Sequence, residues 1–338
     1  MQNYPVTISL HKLLEKDANE VSTLQQAFRD LGFVYLDLRG HEDHEGLIIP
    51  RVETVLKIAA EYFSLDVEEK LKFDIDQIGD FKLHGYKPVG RNSGVAQASK
   101  DGFEAYLVPR DGLCVEARDH QEIHLPPTLD QHKAFLASLL ESLHDVGLEL
   151  LSCLEENGSD GRLAGHHRRS KPSTSALGML RYPSLSASSR DIGQSAHTDV
   201  GSLTILFISD RGLQVLNPAG TEWHYIEPKD GCAVVNVGDS LRFLSDRMYR
   251  SSLHRVVPYP GLDIQDRYSC AYFMRPECDA DLVDDEGKTW KSLDWHAKKY
   301  SIFRATVEEQ MSNPVLTGKR GFVGLWKADD GENKESAN

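Results

Sequence analysis

The sequence predicts one compact unit in which a helical N-terminal half packs on a C-terminal β-sandwich or barrel. Three observations predict it. Apolar residues recur at helical spacing through the first half, most persistently over residues 128–156. After Ser175 the pattern changes to short β-rich runs separated by turn residues, as in a sandwich or barrel. The 338 residues, 40% of them hydrophobic and 27% charged, suffice to bury a full core.

The elements follow in order. Val21, Leu24, Phe28 and Leu31 share a helical face, and Gly32 ends the run. Residues 33–38 then read as a strand. A second helix fits residues 47–63, with Val52, Val55, Ile58 and Ala59 on one face, and Asp66-x-x-Glu69 has the form of a capping box for a short third helix. Residues 81–97, rich in Gly, Lys and Asn, read as a loop. In the longest helical pattern Leu136, Leu139, Leu140, Leu143, Val146, Leu150 and Leu154 form a stripe that Asn157-Gly158 stops. Residues 158–175, with His166-His167-Arg168-Arg169, read as an exposed loop. The β-rich runs cover residues 176–182, 202–208, 213–216, 223–226, 233–237, 241–244, 254–257 and 268–274. Helical spacing returns over 295–311, and the tail from Lys327 is polar. The expected organisation is a mostly helical region (1–175), a β core with a C-terminal helix (176–326) and a tail (327–338), forming one unit.

Composition narrows the function. Thirty-eight basic against fifty-two acidic residues give a net charge of -14, which argues against a nucleic-acid partner. No apolar run reaches the length of a membrane span, and residues 1–10 lack a basic segment followed by an apolar one, so no secretory signal is expected. The five cysteines are widely spaced without Cys-x-x-Cys. That pattern fits neither a disulfide framework nor a zinc cluster and points to a reducing, cytoplasmic setting. The expected partner is a small molecule.

The chemistry centres on Gln194-Ser-Ala-His197-Thr198-Asp199. In an extended chain, side chains at i and i+2 share a face, so His197 and Asp199 can reach one ion, anchored by the strand that follows. His254, in Ser-Ser-Leu-His254-Arg-Val-Val, supplies a third ligand from another strand. Two imidazoles and one carboxylate form the facial triad of non-haem iron(II) sites, which leaves coordination positions open. The tripeptide alone is weak: with fourteen histidines, about one His-x-Asp arises by chance. The second copy, His41-Glu-Asp43, lies in an acidic turn and is read as such. Arg267 and Ser269 share a face of a further strand, and a guanidinium beside a hydroxyl suits a carboxylate. A solvent-facing edge arginine is the alternative.

Taken together, His197-Thr-Asp199, His254 and Arg267-x-Ser269 resemble the iron(II)/2-oxoglutarate-dependent dioxygenase superfamily, and more closely its isopenicillin-N-synthase-like branch. The stretch from Val235 to Asp246, with Asn-x-Gly-Asp, and that from Tyr249 to Val257 are similar to the same branch, as are Tyr182-Pro183, Gly32-Phe-Val-Tyr and Gly85-Tyr86. Arg-Tyr-Ser followed by Tyr-Phe-Met-Arg-Pro-Glu277 looks like fungal members, many of which act in specialised metabolism. The resemblance covers about Pro5 to Gly321. It departs in a longer span between His254 and Arg267, in Leu180 where relatives often carry Asn, and in the N-terminal segment.

The resemblance implies a double-stranded β-helix, or jelly roll, flanked by helices. It implies iron(II), with 2-oxoglutarate and dioxygen as co-substrates. Arg267, Ser269 and Tyr182 would seat the keto acid, which leaves as succinate and carbon dioxide. The expected outcome is hydroxylation, desaturation or oxidative cyclisation of a small organic molecule. A carboxylate at Asp199 argues against a halogenase. Substrate contacts are expected from Phe103, Tyr106, Arg181, Phe207 and Phe273, with core packing or solvent exposure as their alternative roles. Two other readings stay open: an iron oxidase that uses no 2-oxoglutarate, and a non-catalytic jelly-roll binding protein.

Overall fold

The computed structural model describes residues 5–43, 46–79, 83–92, 100–114, 123–155, 161–183, 193–257, 259 and 266–318. Its strands are β1 (Thr7–Ser9), β2 (Phe33–Asp37), β3 (Glu42–Asp43), β4 (Gly46–Leu47), β5 (Gly85–Lys87), β6 (Glu104–Pro109), β7 (Ala176–Tyr182), β8 (Gln194–His197), β9 (Leu203–Ile208), β10 (Leu213–Leu216), β11 (Trp223–Tyr225), β12 (Cys232–Val237), β13 (His254–Val256), β14 (Arg267–Met274), β15 (Asp281–Val283) and β16 (Thr289–Lys291). Its helices are α1 (Leu10–Leu14), α2 (Ala18–Asp30), α3 (Ile48–Phe63), α4 (Val67–Leu71), α5 (Pro127–Asp130), α6 (Lys133–Leu154), α7 (Arg162–Gly165), α8 (Asp239–Leu244), α9 (Ser292–Phe303) and α10 (Val307–Ser312).

An eight-stranded sheet, ordered β1-β2-β12-β9-β14-β7-β6-β5, faces a four-stranded sheet, β11-β10-β13-β8. Together they make a jelly roll. The large sheet is buried on both faces, so its strands read as nearly continuous apolar runs. On its outer face Ile205, Phe207, Leu177 and Tyr272 join the stripes of α2, α3 and α6 in the main core. On its inner face Leu180, Tyr182, Val234 and Ala271 meet Leu213, Val215 and Val256 of the small sheet in a second, smaller core. The predicted metal-ligand types His197 and His254 and the predicted anion-binding pair Arg267 and Ser269 border that inner layer.

Local chemistry explains the boundaries. Asp17 caps α2 by accepting from the amides of Asn19 and Glu20. Thr306 and Glu309 form a reciprocal capping box on α10. The helical spacing expected over 295–311 is therefore two helices with a turn between them. The 128–156 pattern is likewise divided into α5 and α6.

Several elements differ from the sequence expectation. The N-terminal half gives four strands to the large sheet. Two of them, β5 and β6, pair as a hairpin over a stretch of which residues 81–97 were expected to loop. Residues 241–244, expected as a strand, lie in α8. Their N-terminal amides find partners off the sheet: Asp239 N–H donates to the Asp199 carbonyl at 2.8 Å and Ser240 N–H to that of Gly201 at 2.9 Å. Residues 161–175 are not simply an exposed loop, because α7 forms there and His167 is buried, its ring bonded to the Leu163 carbonyl and the Ser202 hydroxyl. Asp66 starts α4 without a side-chain cap bond. The β15–β16 hairpin was not anticipated. The expected tail from Lys327 lies outside the described residues. All five cysteines are free thiols. No helix among the described residues is long and apolar enough to cross a membrane.

Candidate metal and co-substrate site

The small sheet brings two of the ligand-type side chains together by register alone. His197 ends β8, and His254 begins β13 as its direct antiparallel partner. Their rings lie 4.3 Å apart, centroid to centroid. Asp199 follows β8 by two residues, and its Oδ1 is 3.6 Å from Nε2 of each histidine. One ligand atom from each of the three residues falls within 4.8 Å of the others.

The far side of each group is already committed. His197 Nδ1 bonds to the Ser195 carbonyl at 2.8 Å and His254 Nδ1 to the Ser252 carbonyl at 3.1 Å. Carbonyl partners require N–H on Nδ1, which leaves the Nε2 lone pairs facing the common point. Asp199 Oδ2 accepts from Thr204 Oγ1 at 2.6 Å and from the Asn236 amide at 2.8 Å, so Oδ1 is the atom left for a ligand bond. Burial opposes the Asp199 charge, but the imidazole of His254, the His197 hydrogen bond and the Asn236 amide hold its carboxyl below the usual carboxylate range. Burial, followed by the neighbouring His197, presses His254 down to about 4, which favours the neutral, ligating imidazole.

The loop carrying Asp199 is clamped from behind. A Cβ on Gly238 would lie 2.2 Å from the Gly201 carbonyl oxygen, so only glycine lets the start of α8 pack there. From α9, the fully buried Lys299 reaches Asp239 and also donates to Thr198 Oγ1 at 2.6 Å. Phe303, at the end of the same helix, packs edge-on against the His197 ring at 5.4 Å.

A cavity of about 80 Å³ joins the triad to the anion-binding arm. Arg267 and Ser269 line it from β14, and Tyr182 lines it from β7 as the cross-strand partner of Arg267. The guanidinium sits over the Tyr182 ring at 4.8 Å and donates through Nε to the Asp210 carbonyl at 3.1 Å. Its Nη1 is buried and has no hydrogen-bond partner among the described residues, an arrangement that costs free energy unless an anion arrives to use it. Burial lowers the Arg267 pKa and raises that of Tyr182 to about 12.

The five expected substrate contacts divide. Phe273 lines this cavity and, with Phe103, an adjoining one of about 100 Å³ that shares Leu180 and Gln194 with it. Tyr106, Phe207 and Arg181 point elsewhere. Tyr106 packs edge-on against Tyr62 and bonds to His84 at 3.2 Å. Phe207 lies on the helix-facing side of β9, while its neighbour Leu206 lines the cavity. Arg181 is tied to Glu104 at 2.7 Å and to Asp266 at 2.8 Å. Four residues now seen at the site, Thr204, Asn236, Gln194 and Lys299, were not anticipated. Asn236 carried a readable signal as a polar residue within the apolar run of β12, because a buried amide needs a partner.

Residues 173–276 match the 2OG-Fe(II) oxygenase superfamily and residues 6–128 match the non-haem dioxygenase N-terminal region named for morphine synthesis. The chain is 36% identical over 315 residues to the 2-oxoglutarate-dependent dioxygenase frbH of Dothideomycetidae sp., covering 92% of this chain and 94% of that protein. It is 37% identical over 317 residues to the 2-oxoglutarate-dependent dioxygenase gloE of Glarea lozoyensis, covering 92% of each. Among solved structures, Neurospora crassa T7H in complex with alpha-KG superimposes with a TM-score of 0.69 at 22% identity, covering 89% of this chain and 98% of that one.

Proposed function

Because the chain belongs to the 2OG-Fe(II) oxygenase superfamily, we propose that His197, Asp199 and His254 hold its iron(II), that Arg267, Ser269 and Tyr182 seat 2-oxoglutarate, and that the enzyme oxidises a small organic molecule of specialised metabolism. One observation carries the assignment. Two Nε2 atoms and one carboxylate oxygen converge with their other heteroatoms already bonded, while in the same cavity a buried guanidinium nitrogen has no partner. The donor set fits a divalent iron, since two imidazoles and a carboxylate leave half of an octahedron open. The unpartnered Nη1 fits the distal carboxylate of a keto acid, with the Ser269 hydroxyl beside it.

Bound iron(II) would activate dioxygen, with 2-oxoglutarate, as it becomes succinate and carbon dioxide, giving two of the four electrons that dioxygen takes up and the substrate giving the other two. The chain's own residues do the rest. Thr204 and Asn236 hold Asp199 in one orientation, and Ser195 and Ser252 fix the histidine tautomers. Phe33, Leu206, Leu213, Val256 and Ala271 wall the chamber with apolar surface and limit the entry of water. The set of free thiols suits a cytoplasmic setting. Hydroxylation is the default outcome, and desaturation or ring closure are further uses of the same hydrogen abstraction.

The test is an anaerobic titration of the protein with iron(II) and 2-oxoglutarate, followed by admission of oxygen and measurement of succinate. The expected result is one iron and one 2-oxoglutarate per chain and succinate formation that stops in Asp199→Ala. Tight iron binding with no 2-oxoglutarate binding would favour the oxidase reading instead.

A further inference from the structure

The cavity that adjoins the iron and co-substrate chamber is built from segments far apart in sequence. Its walls are Ile75, Phe103, Ala105, Leu107, Phe273 and Phe303. Its polar lining is Lys87, Asn92, Gln194, Tyr300 and Arg304, and no carboxylate among the described residues lines it. What such a chamber can hold depends on which of its two cations has donors left to point into it.

The two cations differ in what they have left to offer. Lys87 is buried and committed: its Nζ is 2.6 Å from Asp101, donates to the Phe103 carbonyl at 2.6 Å and sits over the Phe103 ring at 3.6 Å. Arg304 caps the end of α9 with a side chain 26% exposed. Its Nη1 pairs with Asp76, which leaves the donors of Nε and Nη2 without a bond to any side chain or carbonyl among the described residues. Asp76 is itself shared with Arg91, which also holds Asp74 through both of its terminal nitrogens. In the same lining, the buried amide oxygen of Asn92 has no partner among the described residues, and an amide turned about its axis presents N–H at the same place.

We propose that the substrate is a small organic acid, its carboxylate seated by Arg304 and Asn92 and its apolar body lying between Phe103, Phe273 and Phe303. This rests on the iron and 2-oxoglutarate reading above. A guanidinium edge and one amide match a single carboxylate. Lys87 and Arg304 disfavour a cationic group in the same position. Arg304 lines the outer cavity and is absent from the lining of the inner one. The carbon that is oxidised therefore lies at the far end of the molecule from the carboxylate.

The test is calorimetric titration of the holoenzyme, loaded anaerobically with iron(II) and saturating 2-oxoglutarate. The probes are benzoate, 3-phenylpropanoate and octanoate, each paired with its primary amide. At least one acid is expected to bind ten-fold or more tightly than its amide. Arg304→Met should erase that preference, and Arg304→Lys should restore part of it. Arg39→Met removes an arginine that lines neither chamber, so it should leave the preference intact. The proposal is overturned if no acid outbinds its amide, or if Arg304→Met weakens acid and amide alike. It is also overturned if acid binding falls as 2-oxoglutarate rises, since that would place the acid at Arg267. Failure of the wild-type protein to take up 2-oxoglutarate would instead remove the reading on which the proposal rests.

Discussion

The inner chamber takes its polar groups from six strands of two sheets and the loop after β8, whereas the outer chamber, apart from Gln194 which the two share, takes them from a hairpin, that hairpin's loop and the end of a helix. His197, His254, Thr204, Asn236, Arg267 and Tyr182 stand on β8, β13, β9, β12, β14 and β7. Each projects from paired backbone, so hydrogen-bond ladders hold their spacing. Lys87, Asn92 and Arg304 belong to segments more than two hundred residues apart at the extremes. The difference separates two demands. Reactive geometry is set on rigid structure, while selection of the molecule to be oxidised is left to segments that can vary without disturbing it.

That contrast can be broken or sharpened by substitution. The largest effect is expected inside. His254→Ala should abolish succinate formation and lower iron(II) affinity by more than about 100-fold, beyond what is usual for residues that only support a ligand; equilibrium dialysis of iron measures it. Next, Arg267→Met removes a charge-assisted bond to the co-substrate of about 2–3 kcal/mol. The KM for 2-oxoglutarate should rise by roughly 30- to 150-fold with iron affinity unchanged. An equal loss of iron affinity would mean that the two halves of the inner chamber are not separate.

Lys299→Met tests whether α9 serves both chambers. It leaves the buried Asp239 carboxylate without its cation, at a cost of about 3 kcal/mol, and loosens the loop between His197 and Asp199. Iron affinity should fall by about 10-fold, with partial recovery in Lys299→Arg; thermal unfolding and metal titration read the two effects separately. The smallest effect is expected from Tyr106→Phe. It removes the bond to His84 on the helix side of the sheet, at a cost of about 1 kcal/mol. Both kcat and the KM for 2-oxoglutarate should stay as in the wild type. A change in either would mean that the two faces of β6 are coupled.

The same contrast explains what could be read from the sequence. The His197/Asp199 pair and the Arg267/Ser269 pair could be read because each depends on the period-two geometry of one extended stretch, and His254 because its own stretch resembles the family's distal-histidine segment. The outer chamber was not, because no local pattern joins Lys87 or Asn92 to Arg304. Where strands were recognised, the face was the harder question. In β9, Leu206 and Phe207 are both apolar, and in β6 Ala105 and Tyr106 are as well, because the large sheet is covered on both sides. Alternation tells which residues stand together but not which set faces the chamber. Phe207 and Tyr106 were expected on the wrong side for that reason. Arg181 followed the same logic one strand away, its charge being satisfied by Glu104 and Asp266 rather than by a ligand. The strand expected at 241–244 failed differently: apolar residues of α8 fit either period, and the deciding bonds come from the loop after Asp199.

The paired histidines have one more consequence. Each orients its ring by bonding to the carbonyl two residues back on its own chain, so neither needs the metal to find its position. Such a site is finished when the chain has folded. Chelation of the metal is therefore expected to leave the fold intact, and iron(II) added back should bind without a refolding step.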